Sequence, residues 1–280
     1  MNQYNRLQMA YLLGAYATVF GAFIGSLVNL IIDRRVDRRF SAISTGRCEH
    51  CHSVSGVRSG IPVLGYLSRR GRCRDCHGRT SARPPLVELA NALFYLAIQL
   101  HLGISLAFFV MAGAVSALIA LIFIDLQIQI LPNILNLSGC AAGLTLAFLR
   151  VGSYDSGLFV SRDVTDSIAG AIAGAALMLS IAGMHSLLLG IEGMGLGDAK
   201  LVAMTGALCG WQALLPILLL ASAAGTLAAL TVIVRHGRPA GLRIAIPFGT
   251  FIGCAALAVV FLAPAAPFAP LLRFDAADIR

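Results

Sequence analysis

Two aspartates in this 280-residue chain stand at the ends of long apolar runs, where ionisable side chains are rare. Asp125 follows the apolar run 104–124, and Asp198 lies in the glycine-rich stretch G-M-G-L-G-D-A-K at 193–200. A charged group at the edge of a membrane span is costly, so it usually faces a protein interior or a water-filled cavity and marks chemistry or transport. Asp125 and Asp198 are therefore the first candidates for a functional site.

A pair of aspartates can hydrolyse an amide bond. Two carboxylates a few ångströms apart cannot both ionise easily, so one keeps its proton near neutral pH. The charged carboxylate can take a proton from water, and the protonated one can donate to a carbonyl oxygen, which is general acid–base hydrolysis without a metal or a covalent intermediate.

The residues around Asp198 fit this chemistry but have a second interpretation. Gly195 and Gly197 would permit positive φ and a close approach of substrate backbone beside Asp198. The same residues would also suit a tight turn between two spans, in which Asp198 caps the following helix. Lys200 either pairs with an acid or extends to the membrane interface.

Four cysteines form a second candidate site, as two Cys-x-x-Cys pairs: Cys48, Cys51, Cys73 and Cys76. Each pair supplies two thiolates from one tight turn, and the two pairs together close a tetrahedral structural zinc site. A reducing cytosol disfavours two disulfides. A redox dithiol, which needs a single pair, remains the alternative.

The composition indicates a polytopic membrane protein, because 58% of the residues are hydrophobic and only 12% are charged. The net charge of +8 does not indicate nucleic-acid binding, because the positive residues cluster beside the apolar runs. Twelve arginines fall within 34–83 and three within 235–243. This is the pattern of the positive-inside rule, which places both segments in the cytoplasm.

Apolar runs of about 20 residues predict the membrane spans. Eight segments are predicted, at 9–32, 85–101, 104–124, 131–149, 168–190, 199–210, 212–234 and 244–263. The predicted fold is thus an all-α polytopic membrane protein with a small cysteine-rich cytoplasmic domain and both termini outside. This topology places Asp125 and Asp198 at the same depth, at the cytoplasmic edge.

Five motifs occur along the chain in a fixed order: G-A-F-I-G-S-L-V-N-L (21–30), the paired cysteines followed by S-A-R-P-P-L-V-E-L (81–89), D-L-Q-I-Q-I-L-P-N (125–133), E-G-M-G-L-G-D-A-K-L (192–201) and I-P-F-G-T-F (246–251). In this order they resemble the type IV prepilin peptidases, the GxGD-type membrane aspartic proteases also called leader peptidase/N-methyltransferases. Two departures stand out. The chain reads I-I-D-R-R-V-D-R-R-F at 31–40 where the family usually continues toward R-L-P, and Asn133 replaces an aspartate found in many members.

The resemblance implies that Asp125 and Asp198 are the catalytic dyad. Gly195, Gly197, Lys200 and Glu192 would complete the active-site motif. The implied substrates are precursors of type IV pilins or type II secretion pseudopilins, cut at the cytoplasmic face of the bacterial inner membrane just before a hydrophobic helix.

The resemblance also implies a second activity. Many family members methylate the new N-terminus with S-adenosylmethionine, and the intact four-cysteine pattern favours a bifunctional enzyme with structural Zn²⁺. The sequence assigns no residues to the methyl-donor pocket. Glu88 is expected to cap or anchor the span that it begins.

The predicted domains are a first transmembrane segment, a zinc-binding domain with four cysteine ligands, a transmembrane aspartic peptidase domain and a C-terminal tail, at 1–32, 33–84, 85–263 and 264–280. The expected partners are precursor proteins and the lipid bilayer, without nucleic acid, and the sequence does not indicate an oligomeric state. Two other functions remain open. A proton- or metal-coupled transporter would be expected to show an internal repeat, and a scaffold with a zinc module would leave the paired acids unexplained.

Overall fold

The structure is a computed structural model that describes residues 3–36, 51, 63–73, 75–151, 157–189, 195–236 and 246–263. In these ranges the α-helices are α1 (Gln3–Val36), α2 (Leu64–Ser68), α3 (Arg83–Leu102), α4 (Leu106–Ile128), α5 (Asn133–Phe148), α6 (Val164–Leu189), α7 (Leu196–Cys209), α8 (Leu214–His236) and α9 (Phe248–Leu262). A 3-10 turn, Trp211–Ala213, precedes α8, and one antiparallel bridge joins Arg72 to Arg79. The described residues are therefore all-helical, as predicted.

Local sequence explains where several helices begin and end. Prolines occupy the first turn of α3, where a missing N–H is harmless, and Gly103 with φ 60° follows its last residue. Pro132 and Pro247 directly precede α5 and α9. The helix α4 continues past the apolar run. The hydrogen bond from the Gln129 N–H to the Asp125 carbonyl, 3.0 Å long, shows this. Asp125 therefore lies inside the last turns of a helix.

Among the described residues, five helices are long and apolar enough to cross a membrane, at Gln8–Val36, Arg83–Leu102, Leu106–Ile128, Val164–Leu188 and Trp211–Arg235. The helices α5, α7 and α9 have 16, 14 and 15 residues, fewer than the about 20 that span a bilayer. The chain is a multi-pass membrane protein. Of the eight predicted segments, five are long enough to span and three are shorter helices.

The backbone divides into two compact units, residues 1–120 and 121–280, and α4 passes from the first to the second. In the first unit α1 packs against α3. A Cβ at Gly25 would lie 2.6 Å from the Cα of Glu88, so the two backbones meet where α1 has no side chain.

In the second unit α7 packs against α5, α6 and α9. Leu201, Val202 and Met204 of α7 are almost fully buried, and Gly170 of α6 lies against the backbone of Gly206. The helix that carries Asp198 therefore forms the core of this unit.

A short segment, 157–161, closes one end of the second unit. The Phe159 N–H donates to the Val260 carbonyl near the end of α9, and the Ser161 N–H donates to the Leu208 carbonyl near the end of α7, both at 2.9 Å. These two hydrogen bonds connect the C-terminal ends of α7 and α9.

Candidate active site

Asp125 is buried near the end of α4 and is held by the start of α9. Its side chain is 4% exposed. Its Oδ2 accepts the backbone N–H of Thr250 at 2.6 Å and the Thr250 hydroxyl at 3.0 Å. Thr250 lies in the first turn of α9, where unpaired N–H groups and the helix dipole favour a negative charge. The carboxylate is therefore fixed in position by two donors from one residue.

The close approach of α9 to Asp125 depends on Gly249. A Cβ there would lie 3.0 Å from Asp125 Oδ2 and 3.1 Å from Leu131 Cδ1. Leu131 also lies under the first turn of α7, since a Cβ at Gly197 would be 3.3 Å from the Cβ of Leu131. The side chain of Leu131 thus connects the surroundings of Asp125 with those of Asp198.

Asp198 lies in the first turn of α7, outside the five helices long enough to span. Its N–H donates to the Gly195 carbonyl at 3.1 Å. Burial, and after it the nearby charge of Asp125, raise the pKa of Asp198 to about 6. The structure therefore brings the two predicted aspartates close enough for one charge to act on the other.

The two motif glycines do not adopt the expected conformation. Gly195 has φ −72° and Gly197 is helical, so neither uses the left-handed region. Gly197 instead packs closely against Leu131, whose Cβ would lie 3.3 Å from an added Cβ. Among the described residues, the nearest atom to a Cβ added at Gly195 would be the Gly197 nitrogen, at 3.8 Å. The space around this position lies at the N-terminus of the helix that carries Asp198.

Of the other two predicted motif residues, Lys200 and Glu192, the structure describes only Lys200. Lys200 Nζ donates to Asn133 Oδ1 at 2.8 Å, and both side chains are exposed. This lysine therefore bonds an amide on α5, whereas the sequence predicted either an acid or the membrane interface. Glu192 lies outside the described residues.

Asn136 is a buried polar residue that the sequence reasoning missed. It is 3% exposed, and neither its Oδ1 nor its Nδ2 has a hydrogen-bond partner among the described residues. An unsatisfied buried polar group costs about 1–3 kcal/mol. A signal was available, because Asn136 begins the buried stripe that continues through Gly139 and Gly143 of α5.

Three of the four predicted zinc ligands lie together. The Sγ atoms of Cys51, Cys73 and Cys76 all lie within 4.8 Å of one another, and those of Cys51 and Cys73 are 3.7 Å apart. Tetrahedral zinc with bonds of about 2.3 Å requires sulfurs about 3.8 Å apart, so this donor set fits the ion. Cys48 lies outside the described residues.

The backbone around the second cysteine pair forms a tight turn. The Cys73 N–H donates to the Gly78 carbonyl at 2.8 Å, and the His77 N–H donates to the Cys73 carbonyl at 3.2 Å. The bridge between Arg72 and Arg79 closes this turn. The turn directs Cys73 and Cys76 toward the same point, as a metal site requires.

Glu88 joins the cysteine-bearing segment to α1. Its Oε1 accepts the Ser26 hydroxyl at 2.6 Å, and its Oε2 accepts the Val63 N–H at 2.7 Å, just before α2. An ion pair between Arg83 and Asp33 lies on the same pair of helices. Glu88 therefore serves as an anchor, in agreement with the prediction.

Comparisons with known proteins cover both parts of the chain. A family model described as the bacterial peptidase A24 N-terminal domain matches residues 19–102, and the model of the type IV leader peptidase family matches residues 112–230. A prepilin leader peptidase/N-methyltransferase from Burkholderia pseudomallei (strain K96243) is 32% identical over 272 residues, covering 88% of this chain and 84% of the relative. A protein of the same name from Aeromonas hydrophila is 34% identical over 261 residues, covering 85% of this chain and 86% of the relative. No solved structure matches the chain.

Proposed function

Because the chain belongs to the type IV leader peptidase family, a family of enzymes, we propose that it cleaves the leader peptides of type IV prepilins or pseudopilins. The cleavage takes place at the cytoplasmic face of the bacterial inner membrane, with Asp125 and Asp198 as the catalytic pair. The observation that carries this proposal is the environment of the two acids. Asp125 is buried and accepts two hydrogen bonds, and its charge helps to raise the pKa of Asp198.

The two aspartates divide the work of hydrolysis. One carboxylate is ionised and removes a proton from a water molecule as the water attacks the scissile carbonyl carbon. The other is protonated and donates its proton to the carbonyl oxygen. When the tetrahedral intermediate breaks down, the C–N bond cleaves, and the leaving nitrogen receives a proton and becomes the new N-terminal amine.

The environments of the two acids support such a division. The Thr250 N–H and hydroxyl both donate to Asp125, an arrangement that stabilises a carboxylate. Asp198 has a pKa of about 6, so a substantial fraction of it is protonated slightly below neutral pH. We therefore assign Asp125 as the general base and Asp198 as the general acid at the start of the reaction.

The second proposed activity is methylation of the new N-terminus with S-adenosylmethionine. The cysteine cluster supports it, because the described thiolates have the spacing of a structural zinc site. Cys48 would complete the four ligands, and a bound zinc ion would hold the cytoplasmic segment in its fold. The named relatives are prepilin leader peptidase/N-methyltransferases, which agrees with a pair of activities in one chain.

Cleavage of a prepilin by the detergent-solubilised enzyme tests the dyad. Asp125→Asn and Asp198→Asn keep the side-chain shape and remove the acid. Both variants should lose cleavage while they remain folded by circular dichroism and thermal unfolding. Substantial cleavage by either variant would exclude the two-aspartate mechanism, and failure of the wild type on every pilin and pseudopilin precursor would exclude the substrate class.

A labelled methyl donor tests the second activity separately. The wild type should transfer label from S-adenosylmethionine to the cleaved product, and the Asp125→Asn variant should still methylate a precleaved product. An enzyme that cleaves but never transfers the label would limit the function to proteolysis.

A further inference from the structure

We propose that the side-chain amide of Asn136 binds a main-chain peptide group of the substrate beside the scissile bond. The proposal rests on the proposed cleavage and names a binding residue for it. The starting observation is the Asn136 carboxamide, which is 3% exposed and has no partner for its oxygen or its nitrogen among the described residues.

The position of Asn136 follows from its neighbours on α5. Asn133, three residues earlier, bonds Lys200 of α7, and a Cβ at Gly139, three residues later, would collide with Met204 of α7. Residues three apart share a helix face, so Asn136 lies on the face of α5 that contacts α7. Along the axis of α5, Asn136 lies between the residue that contacts Lys200 and the residue that contacts Met204.

The general geometry of helical side chains places the Asn136 amide on the dyad side of its own Cα. Helical side chains lean toward the N-terminus of their helix. For Asn136 this is the direction of Leu131, whose side chain lies between the surroundings of Asp125 and those of Asp198. The α5 and α7 contacts pair 133 with 200 and 139 with 204, so the two helices run parallel and Asp198 lies toward the same end.

The substrate has a need that this amide meets. The scissile bond lies just before a hydrophobic helix, and the first N–H groups of a helix have no partner within it. Where such N–H and C=O groups enter an apolar environment, they need partners from the enzyme. A carboxamide offers one acceptor and two donors, so Asn136 can pair with both groups of one peptide unit. The unpaired state of the amide in the free enzyme is then relieved when substrate binds.

The test combines thermal unfolding with the kinetics of precursor cleavage for Asn136→Leu, a nearly isosteric apolar replacement. An unpartnered amide opposes folding, so the variant should melt at a higher temperature than the wild type. Its kcat should fall about tenfold to a hundredfold, the loss expected for two hydrogen bonds. KM should change little, because these bonds act on the reacting peptide unit and not on the hydrophobic helix that holds the substrate in the membrane.

Asn29 provides the matched control. It is also 3% exposed, and its Oδ1 likewise has no partner among the described residues, but its Nδ2 donates to the Pro84 carbonyl at 3.0 Å, a bond whose loss would leave that carbonyl without this donor. Asn29→Leu should therefore melt at a lower temperature than the wild type and cleave normally per folded molecule. The two replacements are predicted to have opposite effects on stability.

Each outcome decides the proposal. Unchanged kcat in Asn136→Leu would overturn it and leave the amide with a bound water at most. A lower melting temperature would also overturn it, because the amide would then have a structural partner. If the leucine variant fails to fold, Asn136→Ala removes the amide without added volume, and wild-type kcat in that variant overturns the proposal. A wild type inactive on all precursors contradicts the proposed function instead.

Discussion

The hydroxyl of Thr250 provides a sharp test of how Asp125 is held. Thr250→Val removes the hydroxyl and keeps the volume, the branched Cβ and the backbone N–H that donates at 2.6 Å. The lost hydrogen bond, from Oγ1 to Asp125 Oδ2, is 3.0 Å long and connects two side chains that are 8% and 4% exposed.

The expected loss follows from the charge on the acceptor. A hydrogen bond to a charged group contributes about 1.5–3 kcal/mol. Each interval of about 1.36 kcal/mol corresponds to a tenfold change in rate. If the base must be oriented toward the attacking water, kcat should fall about tenfold to a hundredfold with little change in KM.

The assay is cleavage of a saturating precursor by purified enzyme in detergent, scored by the shift of the product on a gel. Thr250→Ser is the matched control, because it keeps the hydroxyl and loses only the methyl group. It should retain most of the activity that Thr250→Val loses. Wild-type kcat in Thr250→Val, or equal losses in both variants, would refute the role of the hydroxyl. Thermal unfolding separates either result from a general loss of structure, since the hydroxyl also lies 3.3 Å from the Ile122 carbonyl.

Four other variants test neighbouring features. Gly249→Ala should abolish cleavage while the melting temperature changes little, because the added Cβ would lie 3.0 Å from Asp125 Oδ2. Normal cleavage by this variant would contradict the close packing of α9 against Asp125. Gly195→Ala should unfold like the wild type, since the added Cβ meets no described atom closer than 3.8 Å, and lose cleavage only if substrate occupies that space. Because the pKa of Asp198 is raised to about 6, its contribution to stability is present below its ordinary value of about 4 and is lost as pH rises through about 6. Asp198→Asn should therefore gain more in melting temperature over the wild type at about pH 8 than at about pH 4, and an equal difference at both would argue against the raised pKa. Cys73→Ser should reduce zinc, measured by elemental analysis, below one ion per chain, and unchanged zinc would contradict the site.

The sequence predicted the helices well where the pattern was long and uniform. Runs such as 104–124 are apolar throughout, and this composition alone requires a buried or membrane helix. The three shorter helices were harder to interpret, because a run of 14 to 16 residues serves equally as a short span or as the core of a helix bundle. Their packing against neighbouring helices, which no local pattern encodes, decides between the two.

The acids themselves could be found from the sequence, but the residues that hold them could not. Asp125 and Asp198 stood out because charges are rare at the ends of apolar runs. Thr250 lies 125 positions from its acceptor, and its segment attracted notice only through the motif at 246–251. Hydrogen bonds across that separation depend on how α4 and α9 meet in space.

The glycines show that the sequence does not reveal why a glycine occupies a given position. Gly195 and Gly197 were expected to provide positive φ, and the structure uses neither in that way. A glycine can be required for its backbone conformation or for its missing Cβ, and the sequence letter is the same in both cases. Only the contact with Leu131 distinguishes the second reason at Gly197.

The short segment 157–161 has a mechanical consequence for the proposed chemistry. It fastens α7 at Leu208 and α9 at Val260, about ten residues, or roughly 15 Å, from the helix starts that carry Asp198 and Thr250. Because α7 and α9 are joined through this segment at their C-terminal ends, their N-terminal ends shift less easily relative to each other. The alignment of Asp198 with Thr250 is therefore partly set by two backbone hydrogen bonds at the other ends of the helices that carry them.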